Sequence, residues 1–340
     1  MANINLITPT MDDTEKLALA QFVHTPFQSG QALIKLAEQL YGTEGISLGS
    51  PLLDYFIPPT RPHWTRLTIA RPGELKSTWH RIMARIEAQK NKDNGWHDKC
   101  VIVVTYEAGI DTQELYFTDL DKEKFWKGLI EPEVVQASVN RRQQLNIFWI
   151  GESSLKTDIT DARMSVNMVM AGISAIKKAY NMTPSLVLWD YIQETEVDRD
   201  AMDRTQKIID AMGDVIRMCD LLAIPFEVAS QAKQKSLERD PPIPEKGDSE
   251  YSFYPEQKTS TAIGSWRVWE THRDNEKVQR EGTITIPGWK EPFEMHKNLT
   301  VVKSSKARYG QQKMAVPVLV DPVELTVTDI PQARWQLERK

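Results

Sequence analysis

The stretch from Leu67 to Thr78 constrains this chain most, because it joins a strand-like run to a helix-like one through a tight turn. The run Leu67-Thr68-Ile69-Ala70 is apolar, Arg-Pro-Gly interrupts it, and Ile82, Met83 and Ile86 then recur at helical spacing. Backbone N–H groups at a helix N-terminus point at an anion, and a lysine there reaches the terminal phosphates of a nucleotide. The residues that this layout assigns to nucleotide binding are Arg71, Pro72, Gly73, Lys76, Ser77 and Thr78.

The same stretch departs from the phosphate-loop pattern GxxxxGK[ST] at both of its glycines. The segment Ala70 to Ser77 keeps the Lys-Ser ending but carries Ala70 and Leu75 where the pattern has glycine. If the second position requires a positive φ, a leucine there costs roughly 1–2 kcal/mol, and its side chain would crowd a nucleotide. Taken alone, the stretch also fits a strand, a turn and a helix whose lysine is solvated, so other motifs must decide.

Composition limits the classes of protein to which the chain can belong. Its 340 residues, 41% apolar and 26% charged, suffice for one large α/β domain with a small extension or for two domains. The net charge of −5 excludes a global basic field, so any nucleic-acid contact must come from local loops. Two cysteines, Cys100 and Cys219, argue against a disulfide framework and for a reducing compartment. No apolar stretch approaches the ~20 residues of a membrane span, so we expect a cytoplasmic protein.

Apolar runs alternate with helical patterns along the middle of the chain. Helical patterns cover residues 79–89, 112–145, 162–180 and 199–222. Between them, near-continuous apolar runs predict strands buried on both faces, at Val101 to Glu107, Asn146 to Ile150, Leu186 to Tyr191 and Pro225 to Gln231. This alternation predicts an α/β fold with a mostly parallel central sheet flanked by helices.

The last third of the chain has a different composition. Residues 232–260 are rich in Lys, Glu, Pro, Asp, Gly and Ser, and a loop of this length in a compact domain is usually functional or disordered. Short strands are then predicted near Trp266 to Thr271, Thr283 to Ile286, Leu299 to Val302 and Val316 to Val320. The sequence therefore predicts a β-rich C-terminal part.

Polar residues suited to nucleotide chemistry follow several of the predicted strands. Ligands of open α/β sheets bind outside the carboxyl ends of the strands, so these residues are expected to share one crevice. Lys76 would neutralise β- and γ-phosphate charge, while Ser77 and Asp190 would hold Mg²⁺. Glu107 is placed to act as general base toward the attacking water, and Gln231 could sense the γ-phosphate. No Cys/His cluster has zinc spacing.

The chain resembles the RecA-like motor domain of the DnaB-type replicative helicases over about residues 45 to 325. The matching segments are Gly45-Ile46-x-x-Gly49-x-x-x-Leu53-Asp54, Ala70-Arg71-Pro72, Tyr106-Glu107, Asp190-Tyr191-Ile192-Gln193, Ser230-Gln231 and Lys306-Ala307-Arg308-Tyr309-Gly310. They are similar to that family's entry segment, phosphate loop, catalytic glutamate, Walker B segment, Ser-Gln sensor and Lys-x-Arg-Asn-Gly motif. The resemblance implies a RecA-like P-loop NTPase core that uses ATP and Mg²⁺.

The resemblance also implies partners. In the family, the arginine and lysine of the last motif reach the neighbouring subunit's nucleotide. The resemblance therefore implies a ring or helical homo-oligomer, expected to be a hexamer, with Arg308 as arginine finger and Lys306 as its support. Loops after the sensor strand grip single-stranded DNA, and the corresponding candidates are Lys233, Lys235 and Arg239. The segment Thr259 to Trp266 stands where the family has its second DNA loop. Replication or loader proteins are further expected partners.

Three segments of the chain and three candidate functions follow from these observations. Residues 1–44 are expected to form a helical extension able to dock on another subunit, 45–325 the ATPase domain and 326–340 a C-terminal tail. The leading hypothesis is an oligomeric ATPase that translocates along or unwinds nucleic acid. The alternatives are a weakly or non-hydrolysing scaffold on DNA, which Leu75 favours, and a RecA-fold regulatory ATPase or recombinase without helicase activity.

Overall fold

The chain divides into two units, residues 1–44 and residues 45–340. The computed structural model describes residues 44–106, 109–151, 164–197, 203–251, 254–272, 282–307 and 314–338, together with Gln31, Ile34 and Ala37. These last three residues are helical, and the rest of the helices predicted between residues 13 and 41 lies outside the described residues. Glu107 and Arg308, two of the predicted catalytic residues, also lie outside them.

The second unit alternates helices and strands over most of its length. Its helices are α1 Pro51–Phe56, α2 Lys76–Asp93, α3 Ile110–Leu115, α4 Lys122–Trp126, α5 Pro132–Arg142, α6 Val166–Tyr180, α7 Arg204–Leu222, α8 Tyr254–Lys258, α9 Val268–His272 and α10 Pro331–Glu338. Its strands are β1 Thr65–Ala70, β2 Lys99–Thr105, β3 Ile147–Ile150, β4 Thr183–Asp190, β5 Phe226–Gln231, β6 Thr261–Arg267, β7 Thr283–Ile284, β8 Phe293–Glu294, β9 Leu299–Ala307, β10 Ala315–Asp321 and β11 Thr326–Asp329.

Within the described residues, nine strands form one sheet in the order β11-β10-β9-β6-β1-β5-β4-β2-β3. The six strands from β6 to β3 pair in parallel. β9, β10 and β11 extend the sheet beyond β6 in antiparallel fashion. The predictions of a mostly parallel sheet and of a β-rich C-terminal part are therefore confirmed.

Helices cover both faces of the parallel half. Because alternate residues of a strand face opposite sides, Val101 and Val103 of β2 pack in one apolar cluster and Ile102 and Val104 in another. The first cluster includes Trp79, Ile82 and Met83 of helix α2. The second includes side chains of α6 and α7 together with both cysteines, which are free and buried. Burial on both faces explains why these strands are near-continuous apolar runs in the sequence.

The C-terminal segments differ from the predictions in three places. Thr261–Arg267 is strand β6, buried along nearly its whole length between β1 and β9, so it is not a DNA loop. The strand predicted at Trp266 to Thr271 ends at Arg267 and becomes helix α9, which brings Arg267 within 2.9 Å of Glu270 at i, i+3 spacing. Residues 326–338, expected as a tail, form strand β11 at the edge of the sheet and helix α10.

The long polar segment after β5 folds against the sheet. It contains a 3₁₀ turn at Gln234–Glu238, a bridge between Ala232 and Ser249, and helix α8. Gly264 of β6 is required where this segment crosses, because a Cβ there would lie 1.8 Å from the carbonyl oxygen of Pro244. The described part of the segment is thus an ordered layer on the sheet.

Candidate nucleotide-binding site

The carboxyl ends of four adjacent parallel strands meet at one edge of the sheet. β1 ends at Ala70, which is in register with Gln231 at the end of β5. β4 ends at Asp190, which is in register with Thr105 at the end of β2. The sheet order β1-β5-β4-β2 therefore brings the predicted phosphate loop, the sensor glutamine and the predicted metal ligand to one edge.

The loop between β1 and α2 has the backbone of a tight anion-binding turn. Gly73 has φ of 80° and Leu75 has φ of 68°, so both occupy the left-handed region. Leu75 is the N-cap of α2 and has no polar side-chain atom, so the first N–H groups of the helix depend on another acceptor. This arrangement suits a phosphate group.

Leu75 occupies the position where the usual pattern has glycine, and its backbone conformation explains the preference for glycine there. The left-handed conformation costs a leucine roughly 1–2 kcal/mol. Its side chain, however, is buried in the apolar cluster under α2. Burial of a leucine contributes about 1.5–3 kcal/mol, which offsets the backbone cost.

The predicted nucleotide ligand Arg71 is paired with a residue of its own loop. Its guanidinium forms a buried ion pair with Glu74, and its backbone N–H donates to Glu74 Oε2 at 3.3 Å. Burial raises the pKa of the Glu74 carboxyl, while Arg71 acts in the opposite direction. A carboxylate inside a phosphate loop was not anticipated from the sequence.

Lys76 and Asp190 lie close to the loop with capacity for further partners. Among the described residues, the Lys76 ammonium contacts the face of Tyr191, 5.6 Å from the ring centroid. Asp190 is 4% exposed, and no donor from the described residues hydrogen-bonds its Oδ1. A buried carboxylate oxygen without a partner costs free energy unless a cation or a water satisfies it. Ser77 and Thr78 follow Lys76 in the first turn of α2.

The predicted base Glu107 lies outside the described residues, but the position of the residue before it, Tyr106, is defined. The backbone N–H of Tyr106 donates to the carbonyl of Asp190 at 3.1 Å. The end of β2 is therefore tied to the end of β4 immediately before Glu107. Burial raises the pKa of the Tyr106 hydroxyl.

His80 is a neighbour of the site that the sequence reasoning did not single out. It is 2% exposed, and neither ring nitrogen has a hydrogen-bond partner among the described residues. Burial lowers the pKa of its imidazole to about 4, against the attraction of Asp190. Its spacing of four residues from Lys76, on the same helix face, was the available signal.

The cations predicted for DNA contact are largely bound within the chain. Lys233 Nζ donates to the carbonyl of Gly247 at 3.0 Å, and Arg239 pairs with Asp248, with one N–H···O distance of 2.9 Å. Lys235 is exposed. The predicted finger support Lys306 donates to the carbonyl of Glu256 at 2.8 Å.

A second cleft lies beside β9. It has a volume of ≈ 440 Å³ and is lined by Glu245, Lys246, Gln257, Lys303, Ser304, Ser305 and Lys306. Three lysines thus surround it, which the loop-based prediction did not include. Among the described residues, no helix is long and apolar enough to cross a membrane, and no group of side chains is arranged to hold a metal through three or more His, Cys, Asp or Glu residues.

Comparison of the sequence and the structure with known proteins identifies the fold that carries this site. No family model and no curated protein matches the sequence. A separately solved ATPase domain matches with a TM-score of 0.68 and 17% identity, covering 88% of this chain and 98% of that domain. A DnaB-like replicative helicase, solved to describe its interactions with primase, matches with a TM-score of 0.67 and 17% identity, covering 88% of this chain and 66% of the helicase. The fold is that of a DnaB-type ATPase domain.

Within the DnaB-type fold, the residues of the predicted nucleotide site occupy consecutive strand ends and the turn before α2. The order of motifs along the chain and their convergence on one edge agree with the RecA-like architecture expected from the sequence. At 17% identity, this likeness defines the fold.

Proposed function

We propose that this protein is a DnaB-like oligomeric ATPase that binds single-stranded DNA and uses ATP hydrolysis to translocate along nucleic acid or unwind it. The observation that carries the proposal is the convergence of Lys76, the Asp190 oxygen that no described residue bonds, and Gln231 beside a helix N-terminus. A solvated lysine after a turn, the simpler interpretation, explains neither the buried carboxylate nor the shared sheet edge.

The chain's own groups would hold ATP and Mg²⁺ in complementary ways. Backbone N–H groups from Gly73 to Ser77 would donate hydrogen bonds to the phosphate oxygens, with Lys76 adding positive charge. Ser77 and Asp190 would bind Mg²⁺ through oxygen, the ligand type that this ion prefers. The bound nucleotide supplies the terminal phosphoryl group that is transferred to water.

Hydrolysis needs a base and a sensor on the far side of the phosphates. Glu107 would accept the proton of the attacking water. Gln231 lines a cleft of ≈ 400 Å³ beside the loop, together with Arg71, Pro72 and Glu74, and would report the γ-phosphate to the segment that follows β5. The residue before Glu107, Tyr106, is hydrogen-bonded through its backbone to Asp190 at the same edge of the sheet.

The site is expected to be completed by a neighbouring copy. Arg308 follows β9 and would act in trans as an arginine finger, a role worth ~10³–10⁵ in rate for phosphoryl transfer. DNA contact would use the exposed Lys235, with Lys233 and Arg239 contributing the N–H donors that their bonds to Gly247 and Asp248 leave over. Loader or other replication proteins are possible additional partners.

A non-hydrolysing DnaB-like scaffold on DNA is the second candidate. The left-handed Leu75 and the Glu74 carboxylate favour it, because one strains the phosphate loop and the other places negative charge within it. The scaffold has no need of a base or a finger, so variants at those positions separate the two candidates.

The deciding experiment measures ATP hydrolysis with and without single-stranded DNA, together with the mass of the protein in solution. A motor is expected to form oligomers and to hydrolyse ATP faster on DNA. Glu107→Gln should bind nucleotide without turnover, whereas the exposed Glu133→Gln should behave as wild type. Arg308→Ala should bind ATP but stay inactive when mixed only with itself.

Other outcomes assign the alternatives. DNA binding by an oligomer without turnover would establish the scaffold. Turnover without displacement of a strand from a forked substrate would favour a regulatory ATPase or recombinase. A solitary protomer that binds neither ATP nor DNA would overturn the proposal.

A further inference from the structure

Strand β4 leaves the sheet earlier than its neighbour β5 does. The two strands pair through Val187 with Phe226, Leu188 with Glu227 and Trp189 with Val228. β5 continues to Gln231, and the next residue, Ala232, donates its N–H to the carbonyl of Ala70 on the β1 side. Because backbone groups alternate sides along a strand, the N–H and C=O of Gln231 point to the other side, where β4 has already ended.

The side chain of Gln193 takes the place of the missing strand. Its Oε1 accepts the N–H of Gln231 at 3.3 Å, and its Nε2 lies 3.4 Å from the carbonyl oxygen of Gln231. The same Nε2 donates to Ser230 Oγ at 2.8 Å. A carboxamide is the side-chain group that offers an N–H donor and a C=O acceptor together, as a peptide does. Gln193 is 6% exposed, so water competes poorly for these bonds.

The contacts of Gln193 continue into the polar segment after β5. Ser230 Oγ lies 2.7 Å from Ser249 Oγ, and the N–H of Glu250 donates to the Gln231 carbonyl at 2.8 Å. The N–H of Ser249 donates to the fully buried Glu256 at 2.9 Å. Gln193 is therefore one end of a buried chain of hydrogen bonds that starts three residues after Asp190.

We propose that Gln193 is a positioning residue that fixes Gln231 against the phosphate loop and joins residues 245–250 to the nucleotide side of the sheet. Gln231 lines the cleft beside Arg71, Pro72 and Glu74, and Gln193 bonds both the N–H and the carbonyl of its backbone, so the placement of Gln231 in the cleft depends on Gln193. This inference rests on the proposed ATPase function. Gln193 itself acts through Gln231 and does not contact the reacting atoms.

The test compares Gln193→Met and Gln193→Glu with Gln206→Met and Gln206→Glu. Gln206 is an exposed glutamine on α7 that bonds Asp210, so it is a matched control. Methionine retains the shape of glutamine but offers Gln231 neither donor nor acceptor. In Gln193→Met the amide of Gln231 should exchange hydrogen at least about tenfold faster because it loses its acceptor. The amide of Glu250 should exchange faster too, because the Gln231 carbonyl that accepts it is no longer held by Gln193.

Kinetics separate positioning from a general loss of structure. Gln193→Met should lower kcat about 10- to 10²-fold while KM for ATP changes little, because a misplaced group costs more in the transition state than in binding. The factor by which single-stranded DNA stimulates ATP hydrolysis should also be smaller in Gln193→Met. Both Gln206 variants should keep the wild-type values.

In Gln193→Glu, a change of pH alone should restore the activity that the substitution removes. A protonated carboxyl group has one donor and one acceptor, like a carboxamide, whereas a carboxylate has acceptors alone. Burial should raise the pKa of the introduced carboxyl toward neutrality. The kcat of Gln193→Glu should therefore recover as pH falls from 8 to about 5, and Gln206→Glu should show no such step.

The outcomes distinguish this inference from the proposed function. A wild-type protein without ATPase activity would contradict the function, and hydrogen exchange would still decide the anchoring. Unchanged exchange at Gln231 and Glu250 in Gln193→Met overturns the inference. So do a wild-type kcat in Gln193→Met and an absent pH step in Gln193→Glu. If Gln193→Met does not fold, the pH comparison within Gln193→Glu decides alone.

Discussion

The phosphate-loop end of the sheet and the polar segment at residues 232–260 treat their charged groups in opposite ways. At the loop, Asp190 is buried with an oxygen that lacks a partner among the described residues, and Lys76 rests on an aromatic face. In the polar segment, Lys233 bonds a backbone carbonyl and Arg239 bonds Asp248. The phosphate-loop end therefore has polar groups available to bind a ligand, whereas in the polar segment Lys233 and Arg239 stabilise the segment's own conformation.

This difference shows that charge in a sequence does not by itself locate a binding surface. A buried polar atom without a partner is destabilising until something satisfies it, so it indicates a ligand. A cation that already bonds its own chain has fewer N–H donors left for DNA and less freedom to reach it. We therefore expect ATP binding to depend on single residues, and DNA binding to be distributed over several.

The largest expected effect is at the nucleotide end. Lys76→Ala should reduce ATP turnover by about 10²–10³-fold, because it removes the charge that would stabilise the transferred phosphoryl group. Lys92→Ala, an exposed change on the same helix, should have no effect. Measurement of kcat in both variants checks this, and near-normal turnover in Lys76→Ala would remove the distinction between the two regions.

The next effect concerns acid stability at the same end. The pKa of His80 is about 4 in the folded protein and near 6.5 when unfolded. The unfolded chain therefore binds more protons between these values, and acidification through this window should destabilise the fold by about 3 kcal/mol. In His80→Leu the free energy of unfolding should depend less on pH over the same window, with the exposed His97→Leu as control. Equal pH slopes in wild type and His80→Leu would refute the assignment.

A moderate effect is expected in the polar segment. Glu256 is fully buried and accepts N–H bonds from Gly247 and Ser249. Glu256→Ala should leave two backbone donors without their acceptor, one of them fully buried, and destabilise this segment by about 1–3 kcal/mol. Proteolysis or hydrogen exchange at residues 245–250 should report this opening, while Glu133→Ala should not. Unaltered protection would mean that the segment does not depend on its internal bonds.

The smallest effect is expected at Leu75. Leu75→Gly removes a left-handed backbone cost of roughly 1–2 kcal/mol but also removes a buried side chain. Denaturation should therefore show a net loss of stability of about 1 kcal/mol. Because the side chain packs in the core, ATP affinity should change less than about threefold. A large gain in affinity would show instead that Leu75 obstructs the nucleotide.

The predicted fold owed its accuracy to strands that are buried on both faces. Runs such as Val101 to Val104 and Leu186 to Trp189 cannot be exposed, so their apolar character is independent of distant partners. The strand predicted at Trp266 to Thr271 was displaced by several residues, because that segment mixes buried and polar positions. Its turn into helix α9 includes the contact of the Trp266 indole with Thr271 at 2.9 Å.

The candidate site was predictable in part for a related reason. Lys76, Asp190 and Gln231 each follow a recognisable strand, and strand ends of a parallel sheet share an edge. Glu74 and His80 follow no strand end, and Gln193 entered only as the last residue of the segment that resembles a Walker B motif, with no role of its own. The importance of each depends on a partner or on burial that local sequence does not encode: Arg71 for Glu74, enclosure for His80 and the Gln231 backbone for Gln193.

The sequence by itself determined the mostly parallel sheet and the strand-turn-helix that begins at Leu67, because apolar periodicity and short-range turn chemistry are local properties. The tertiary structure alone decided which charged groups remain available. Whether Arg239 or Asp190 has a partner depends on groups brought close by folding, and the cost of leaving a group without one depends on how completely the fold excludes water around it.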